Sequence, residues 1–454
     1  VGEGGSEGVE YDGEERMDIF EKCSKFTTAR EVMSAGFYPY FTTIESAQDP
    51  EVIVNGKPMI MIGSNDYLGL TTHPRLKRAA ARALRKYGTG CTGSRFLNGT
   101  FDIHEQLERK LAQFEGREAA LFFTTGFLTN LGTIAGLVGK DDVVITDKLD
   151  HASIIDGCRL SFGETKRFRH NNMEDLERTL KSIDPGRGKL IVIDGVFSTE
   201  GDIANLPQIV RLGKKYGARI MVDDAHAIGV LGKGGRGTAE HFGLQNEVDI
   251  IMGTCSKSLA SIGGFIVGPE EVIHYLKHHS RALIFSASPP PTAVAVVLEA
   301  LKIIEEEPER RQRLWRNTIK MKKGFQEMGY DTGTSETPII PLLVGDDMTA
   351  FKMRKILFDN GIFANPFVSP AVPEGRAIIR TSYMATHTTE QLDRVLDVFE
   401  KVGKQLGIIP GRRFPKRKRP PTLRARMRRE RMVMKEAIRR RFKSWMHRIY
   451  GLRQ

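Results

Sequence analysis

The sequence predicts an α/β protein: a large domain with a mostly parallel sheet covered by helices, followed by a smaller C-terminal α+β domain. Three observations carry this. Continuous apolar runs of strand length, among them 119–123, 189–194 and 219–223, recur between helix-length segments. The chain of 454 residues is long enough for two cores. After Pro289-Pro290-Pro291 the pattern changes to long helices with fewer strands between them.

Residues 1–24, rich in Gly and Glu, read as a flexible acidic N-terminus, unlike a secretory signal. Within an N-terminal segment, 25–70, the runs 51–54 and 57–62 flank Asn55-Gly56, the signature of a tight hairpin. The large domain, 71–292, opens with a basic helix from His73 to Tyr87, then a loop, 88–100, too glycine-rich for a regular element. Helix 103–115, strand 119–123, a helix from Gly126 to about Leu137, strand 142–146, helix 151–161, a basic strand near 165–169 and helix 173–183 follow. Strand 189–194, helix 206–215, strands 219–223 and 248–253, and the run Phe265-Ile266-Val267 complete the sheet. The small domain, 293–407, takes helices 293–306 and 308–328, strand 338–344, helix 349–360, strand 376–381 and helix 388–406.

A hydrophobic share of 40% with 27% charged residues describes a globular protein, and no apolar run reaches the length of a membrane span. Four scattered cysteines without CxxC spacing suit reduced thiols in the cytoplasm and offer no metal-ligand pattern. The net charge of +12 is unevenly placed: residues 411–454 hold 18 Lys and Arg against Glu430 and Glu436, a tail of +16 on a body of −4. Leu423, Met427, Met434, Ile438, Phe442, Trp445 and Ile449 recur at helical spacing within this basic amphipathic tail, 408–454. The pattern suits an interfacial helix on an anionic membrane surface, which would make the protein peripheral on the inner face. A helix docked on the protein itself, or a solvated arm, fits equally; specific nucleic-acid binding ranks lower.

The chemistry concentrates in Gly253-Thr254-Cys255-Ser256-Lys257-Ser258. A lysine held in a cramped turn after a buried strand is easily deprotonated, and a neutral amine can take an aldehyde. Thr254 and Ser256 offer phosphate donors beside it. Aldehyde plus phosphate describes pyridoxal 5′-phosphate (PLP). Strand 219–223 ends in Asp223-Asp224-Ala225-His226; Asp223 could face the pyridine nitrogen and His226 the phenolic oxygen. Gly126 and Phe127 open a helix after a strand, where backbone N–H groups favour phosphate. His151 could stack on the ring and Ser198 could touch it. Arg380 offers a carboxylate a bidentate fork. Taken singly, each also has a structural explanation as a cap, a satisfied histidine or an exposed arginine.

SNDYLGL, TTGF, DHASIIDG, GVFSTEGD, VDDAHAIG and GTCSKSLASIGG, in that order, resemble the α-oxoamine synthases, fold-type I PLP-dependent transferases. The resemblance spans roughly residues 27–407. YPYFTTIESAQDPEVIVNGKP, KYGTGCTGSRFLNGT, HHSRALIFSASPPP and SPAVPEG are most similar to the bacterial serine palmitoyltransferase branch. The resemblance implies condensation of L-serine with a long-chain acyl-CoA and loss of CO2. It implies Lys257 as the cofactor lysine and base, and Asp223, His226 and His151 around the ring. Gly126, Phe127, Thr254 and Ser256 would hold the phosphate, and Asn65 and Arg380 the substrate carboxylate. Ser286 and Ala287 would reach the neighbouring subunit's phosphate, so the expected state is a homodimer with shared active sites. Another amino acid or acyl donor is the alternative, as in 8-amino-7-oxononanoate synthase, glycine C-acetyltransferase or 5-aminolevulinate synthase. A non-catalytic partner subunit would be expected to lack the lysine.

Overall fold

The computed structural model describes residues 18–410, and the readings of residues 1–17 and of the tail from 411 lie outside them. The chain divides after Tyr38. Before that point it carries two short helices, Glu21–Ser24 and Thr28–Ser34.

Strands β1 (Glu51–Val54) and β2 (Lys57–Met61) form the expected hairpin. Asn55 and Gly56 take φ of 51° and 68°, the two left-handed residues that a tight antiparallel turn requires. The central sheet contains β3 (Ala119–Phe123), β4 (Val143–Asp147), β5 (Glu164–Phe168), β6 (Lys189–Asp194), β7 (Arg219–Asp223), β8 (Ile250–Thr254) and β9 (Gly264–Gly268). These seven strands lie in the order β3-β9-β8-β7-β6-β4-β5. β4 to β8 run parallel where they pair, and β9 is antiparallel to both β3 and β8.

Period-two alternation sends the central residues of β6, β7 and β8 to both faces of the sheet. Ile191, Ile193, Ile220, Val222 and Ile251 pack into one layer, while Leu190, Val192, Met221, Ile250 and Met252 pack into the other. Both faces are covered there, so these central positions are apolar, while polar residues fall at the strand ends and on the edge strand β5. Strand β8 starts two residues later than its apolar run suggests. The Asp249 carboxylate turns back to accept the Ile220 N–H at 2.8 Å and pairs with Arg219 at 2.6 Å.

The helix Pro291–Glu306 begins on a proline, whose missing N–H costs nothing in a first turn. Beyond it lie β10 (Ile339–Gly345), β11 (Ile362–Phe363), β12 (Asn365–Phe367) and β13 (Ala377–Ser382). β10, β13 and β12 form a small antiparallel sheet, and β11 pairs parallel with β2. The N-terminal hairpin is thereby completed by a strand some 300 residues later in the chain, a pairing the hairpin's own sequence does not announce.

Candidate active site

β4 and β6 are neighbours, but the chain leaves β4 toward β5 and leaves β6 toward β7. Their following loops therefore diverge and open a crevice beyond the carboxyl ends of the strands. A cavity of about 330 Å³ lies there. Gly126, Phe127, His151, Ser198, Asp223, His226, Thr254, Ser256 and Lys257 all line it. Arg380 adjoins it through Ser198, and Asn65 through Arg380. Arg380, on β13, donates from Nε to the Ser198 carbonyl at 2.6 Å and from Nη2 to Asn65 Oδ1 at 3.1 Å. Ser286 and Ala287 do not line this cavity; the Ala287 carbonyl instead accepts from Thr124 Oγ1 at 2.7 Å.

Each strand end delivers one group. β7 alternates its side chains, so Asp223 faces the cavity while Asp224 turns away and accepts the Thr238 N–H at 2.8 Å. Burial pushes the Asp224 carboxyl up to about 7. Asp223 Oδ1 accepts the Ala225 N–H at 2.9 Å. His226 Nδ1 lies 2.7 Å from the Tyr67 hydroxyl, and burial, followed by the Lys257 and Arg380 cations, holds this imidazole well below its ordinary range. His226 is therefore neutral. The Tyr67 hydroxyl keeps its proton, since burial raises it to about 12 against the pull of Arg380.

Lys257 follows β8 in a turn. Burial lowers its ammonium to about 8, against the attraction of Asp223 and Asp194, with Arg380 adding to the depression. His151 is also lowered by desolvation, with Asp223 opposing. Its ring is open to the cavity, so that effect is weaker than for buried His226. Arg380 is 4% exposed, yet no carboxylate among the described residues pairs with it. A buried guanidinium without a counter-ion leaves capacity for an anionic ligand.

One end of the cavity is built for a phosphate. The helix Gly126–Leu137 points its N-terminus there, capped by Thr125 Oγ1 accepting from the Leu128 N–H at 3.1 Å. Thr254 Oγ1 and Ser256 Oγ lie 3.0 Å apart beside it. A Cβ on Gly126 would come within 2.6 Å of Thr254 Oγ1, so the glycine is what lets strand and helix close on this end. An amine, a carboxylate from the neighbouring strand and a phosphate cradle in one cavity fit PLP.

Sequence reasoning did not single out Asn130, Ser153, Asp194 or Tyr67. Asn130 Nδ2 donates to Asp223 Oδ2 at 2.6 Å and to Ser153 Oγ at 2.9 Å. Asp194 Oδ2 accepts the His151 N–H at 3.1 Å. The available signal was an asparagine one turn into a helix of mostly apolar and small residues. Its partners lie far away in sequence, which hid its use.

The family model for aminotransferase class I and II matches residues 57–399. The chain is 52% identical over 390 residues to a serine palmitoyltransferase from Sphingobacterium spiritivorum, covering 86% of this chain and 98% of that protein. It is 49% identical over 380 residues to an 8-amino-7-oxononanoate synthase from Thermoanaerobacter pseudethanolicus, covering 84% and 96%. A solved serine palmitoyltransferase variant from S. paucimobilis, with bound PLP–myriocin aldimine, superposes with a TM-score of 0.84 at 37% identity, covering 86% of this chain and 100% of that one. Fold, cavity and similarity agree, and the chain belongs to the aminotransferase class I and II family of PLP enzymes, within its α-oxoamine synthase group.

Proposed function

We propose that this chain condenses L-serine with a long-chain acyl-CoA such as palmitoyl-CoA, giving 3-ketosphinganine, CoA and CO2, the first step of sphingolipid synthesis. The observation that carries the reading is the uncompensated Arg380 guanidinium beside the cavity that holds Lys257 and Asp223, in a chain half identical to serine palmitoyltransferases. PLP, when bound, supplies an electron sink for charge developing at the substrate Cα. Asp223 would face its ring nitrogen and His226 its phenolic oxygen, while His151 covers the ring and Ser198 borders it. The Gly126 and Phe127 N–H groups, with the Thr254 and Ser256 hydroxyls, would take the phosphate.

Lys257 would engage the aldehyde and, once free, take the Cα proton on Nζ. Arg380 and Asn65 would hold the serine carboxylate until the new bond from Cα to the acyl carbon has formed and the thiolate of CoA has left. Loss of CO2 then breaks the carboxylate away, and Lys257 is placed to return a proton to Cα. Because the Lys257 amine titrates near 8, the rate of PLP loading into cofactor-free protein should climb through about pH 8 and then level off. A climb continuing to pH 10 would contradict that.

Mass spectrometry of the products from serine, glycine or alanine with a panel of acyl-CoA donors tests the reading. The expected product is 3-ketosphinganine from serine and palmitoyl-CoA. Preference for alanine with pimeloyl-CoA would favour the second reading, 8-amino-7-oxononanoate synthase, which the 49% identity keeps in view. Arg380→Lys keeps the charge but loses the fork. It should raise KM for serine about 10- to 100-fold with little change in KM for the acyl donor; equal effects on both would remove Arg380 from the carboxylate site.

Ser286 and Ala287 lie outside this chain's cavity, and we read them as serving the cavity of a second copy in a homodimer. No helix among the described residues is long and apolar enough to cross a membrane. We read the basic tail as a contact with an anionic membrane surface on the cytoplasmic side. Co-sedimentation with anionic liposomes should be lost on truncation after residue 410, and equal pelleting would refute it.

A further inference from the structure

Asn130 is 1% exposed and lies four residues into the helix that points at the cavity. Its amide nitrogen commits both hydrogens, one to Asp223 Oδ2 at 2.6 Å and one to Ser153 Oγ at 2.9 Å. Its amide oxygen has no partner among the described residues. That unmet acceptor is tolerated because the reversed amide would press an oxygen against the Asp223 carboxylate and lose that bond.

The direction of donation then propagates. Ser153 Oγ accepts from Asn130 and so keeps its own hydrogen for His151 Nδ1, 2.7 Å away. His151 is also the N-cap of the helix Ala152–Leu160, where its Nδ1 accepts the Ser153 backbone N–H at 3.3 Å. Two donors aimed at Nδ1 require a lone pair there, which puts the ring proton on Nε2. The other tautomer would set Nδ1–H against the Ser153 N–H and leave the serine hydroxyl facing an amide donor with nothing to accept its hydrogen. Nε2 has no partner among the described residues, and the ring lines the cavity.

We propose that Asn130 is a positioning residue whose single amide group both anchors Asp223 and, through Ser153, holds His151 as the neutral Nε2–H tautomer, presenting a hydrogen-bond donor to bound substrate. The proposal rests on reading this cavity as the catalytic site, but it concerns the chain's own groups. It assigns the asparagine the task of matching two catalytic side chains, one at the end of β7 and one at the start of the helix Ala152–Leu160. Asp223 would be fixed as an acceptor for the ring nitrogen of bound PLP, and His151 as a donor from Nε2 into the cavity.

Nitrogen-15 NMR of histidine-labelled, cofactor-free, full-length protein tests this, with the His151 signal identified by its loss in His151→Asn. The expected spectrum shows a bare Nδ1 and a protonated Nε2; a proton on Nδ1, or an averaged signal, overturns the proposal. Asn130→Asp exchanges the two donors for acceptors, draws the serine hydroxyl away, and should move the His151 proton onto Nδ1 or leave both nitrogens protonated. In the loaded enzyme the same variant should lose about 100-fold in kcat, with KM for the acyl donor within about twofold. Should that variant not fold, Ser153→Ala should bring in a second tautomer and cost about tenfold in kcat, while Ser153→Thr retains the single tautomer. An unchanged His151 spectrum in Ser153→Ala would also overturn it. If the protein binds no PLP, the catalytic reading fails while the wild-type spectrum still decides the tautomer.

Discussion

Lys257→Met is expected to abolish turnover, by at least about 10⁴-fold, and at the same time to stabilise the cofactor-free protein at pH 7. The first effect follows from position, since Lys257 is the one lysine lining the cavity among the described residues, and the proposed base. The second follows from its ammonium. The folded protein lowers it to about 8 from 10.5, chiefly by burial, so at pH 7 folding carries a charge into a place that disfavours it. A folded pKa below the unfolded one means that the unfolded chain binds more protons between about pH 8 and 10.5, and wild-type stability rises across that window. Methionine keeps the length and removes the charge. The variant should gain on the order of 2 kcal/mol at pH 7, less than the full shift because the side chain is only half-buried in an open cavity. That advantage should fade toward pH 10.5. Thermal unfolding of both apo proteins at pH 7 and 10 measures this, and a variant less stable than wild type at pH 7 would show that the lysine is not held under strain.

How far the sequence revealed this arrangement depended on how local the cause was. The Asn55-Gly56 turn is local: two residues able to take positive φ between apolar runs decide it, and the hairpin forms where expected. The strands β6 and β7 were equally legible, because burial on both faces makes their central positions, Leu190–Ile193 and Ile220–Val222, a continuous apolar run. Strand direction was not legible in the same way. β9 is as apolar as its neighbours yet runs antiparallel to them, since its orientation is set by the short turn after Lys257 rather than by composition. β11 has two residues, too few for any period to show. Within the site, Lys257 and Asp223 announce themselves by their chemistry at strand ends. Tyr67 and Asn130 do not, because what makes them functional is a partner 159 or 93 residues away.

His170 illustrates the same point and gives the second large effect. It follows β5, and nothing in its neighbourhood of sequence marks it. In the fold its Nδ1 meets Asp147 Oδ1 at 3.1 Å and its Nε2 meets Asp202 Oδ2 at 3.0 Å, with the Phe197 ring edge-on at 4.5 Å between centroids. Two carboxylates offer only acceptors, so both ring nitrogens must be protonated. Burial works against that charge, but the hydrogen bonds and charges of Asp147 and Asp202 outweigh it and raise the imidazolium to about 10. The bridge ties the end of β4, which leads to His151, to the loop carrying Ser198, whose carbonyl holds Arg380. His170→Asn should therefore cost about 3 kcal/mol at pH 7, the lower part of the range for breaking a buried ion pair, because the ring is 26% exposed while Asp147 is fully covered. It should also raise KM for the amino acid by loosening Arg380. With the folded pKa above the unfolded 6.5, this stabilisation is complete below about pH 6.5 and disappears as pH rises through about 10. Chemical denaturation of wild type and variant at pH 6, 8 and 10.5 should show the gap closing, and a gap that stays constant to pH 10.5 would mean that His170 contributes packing rather than charge.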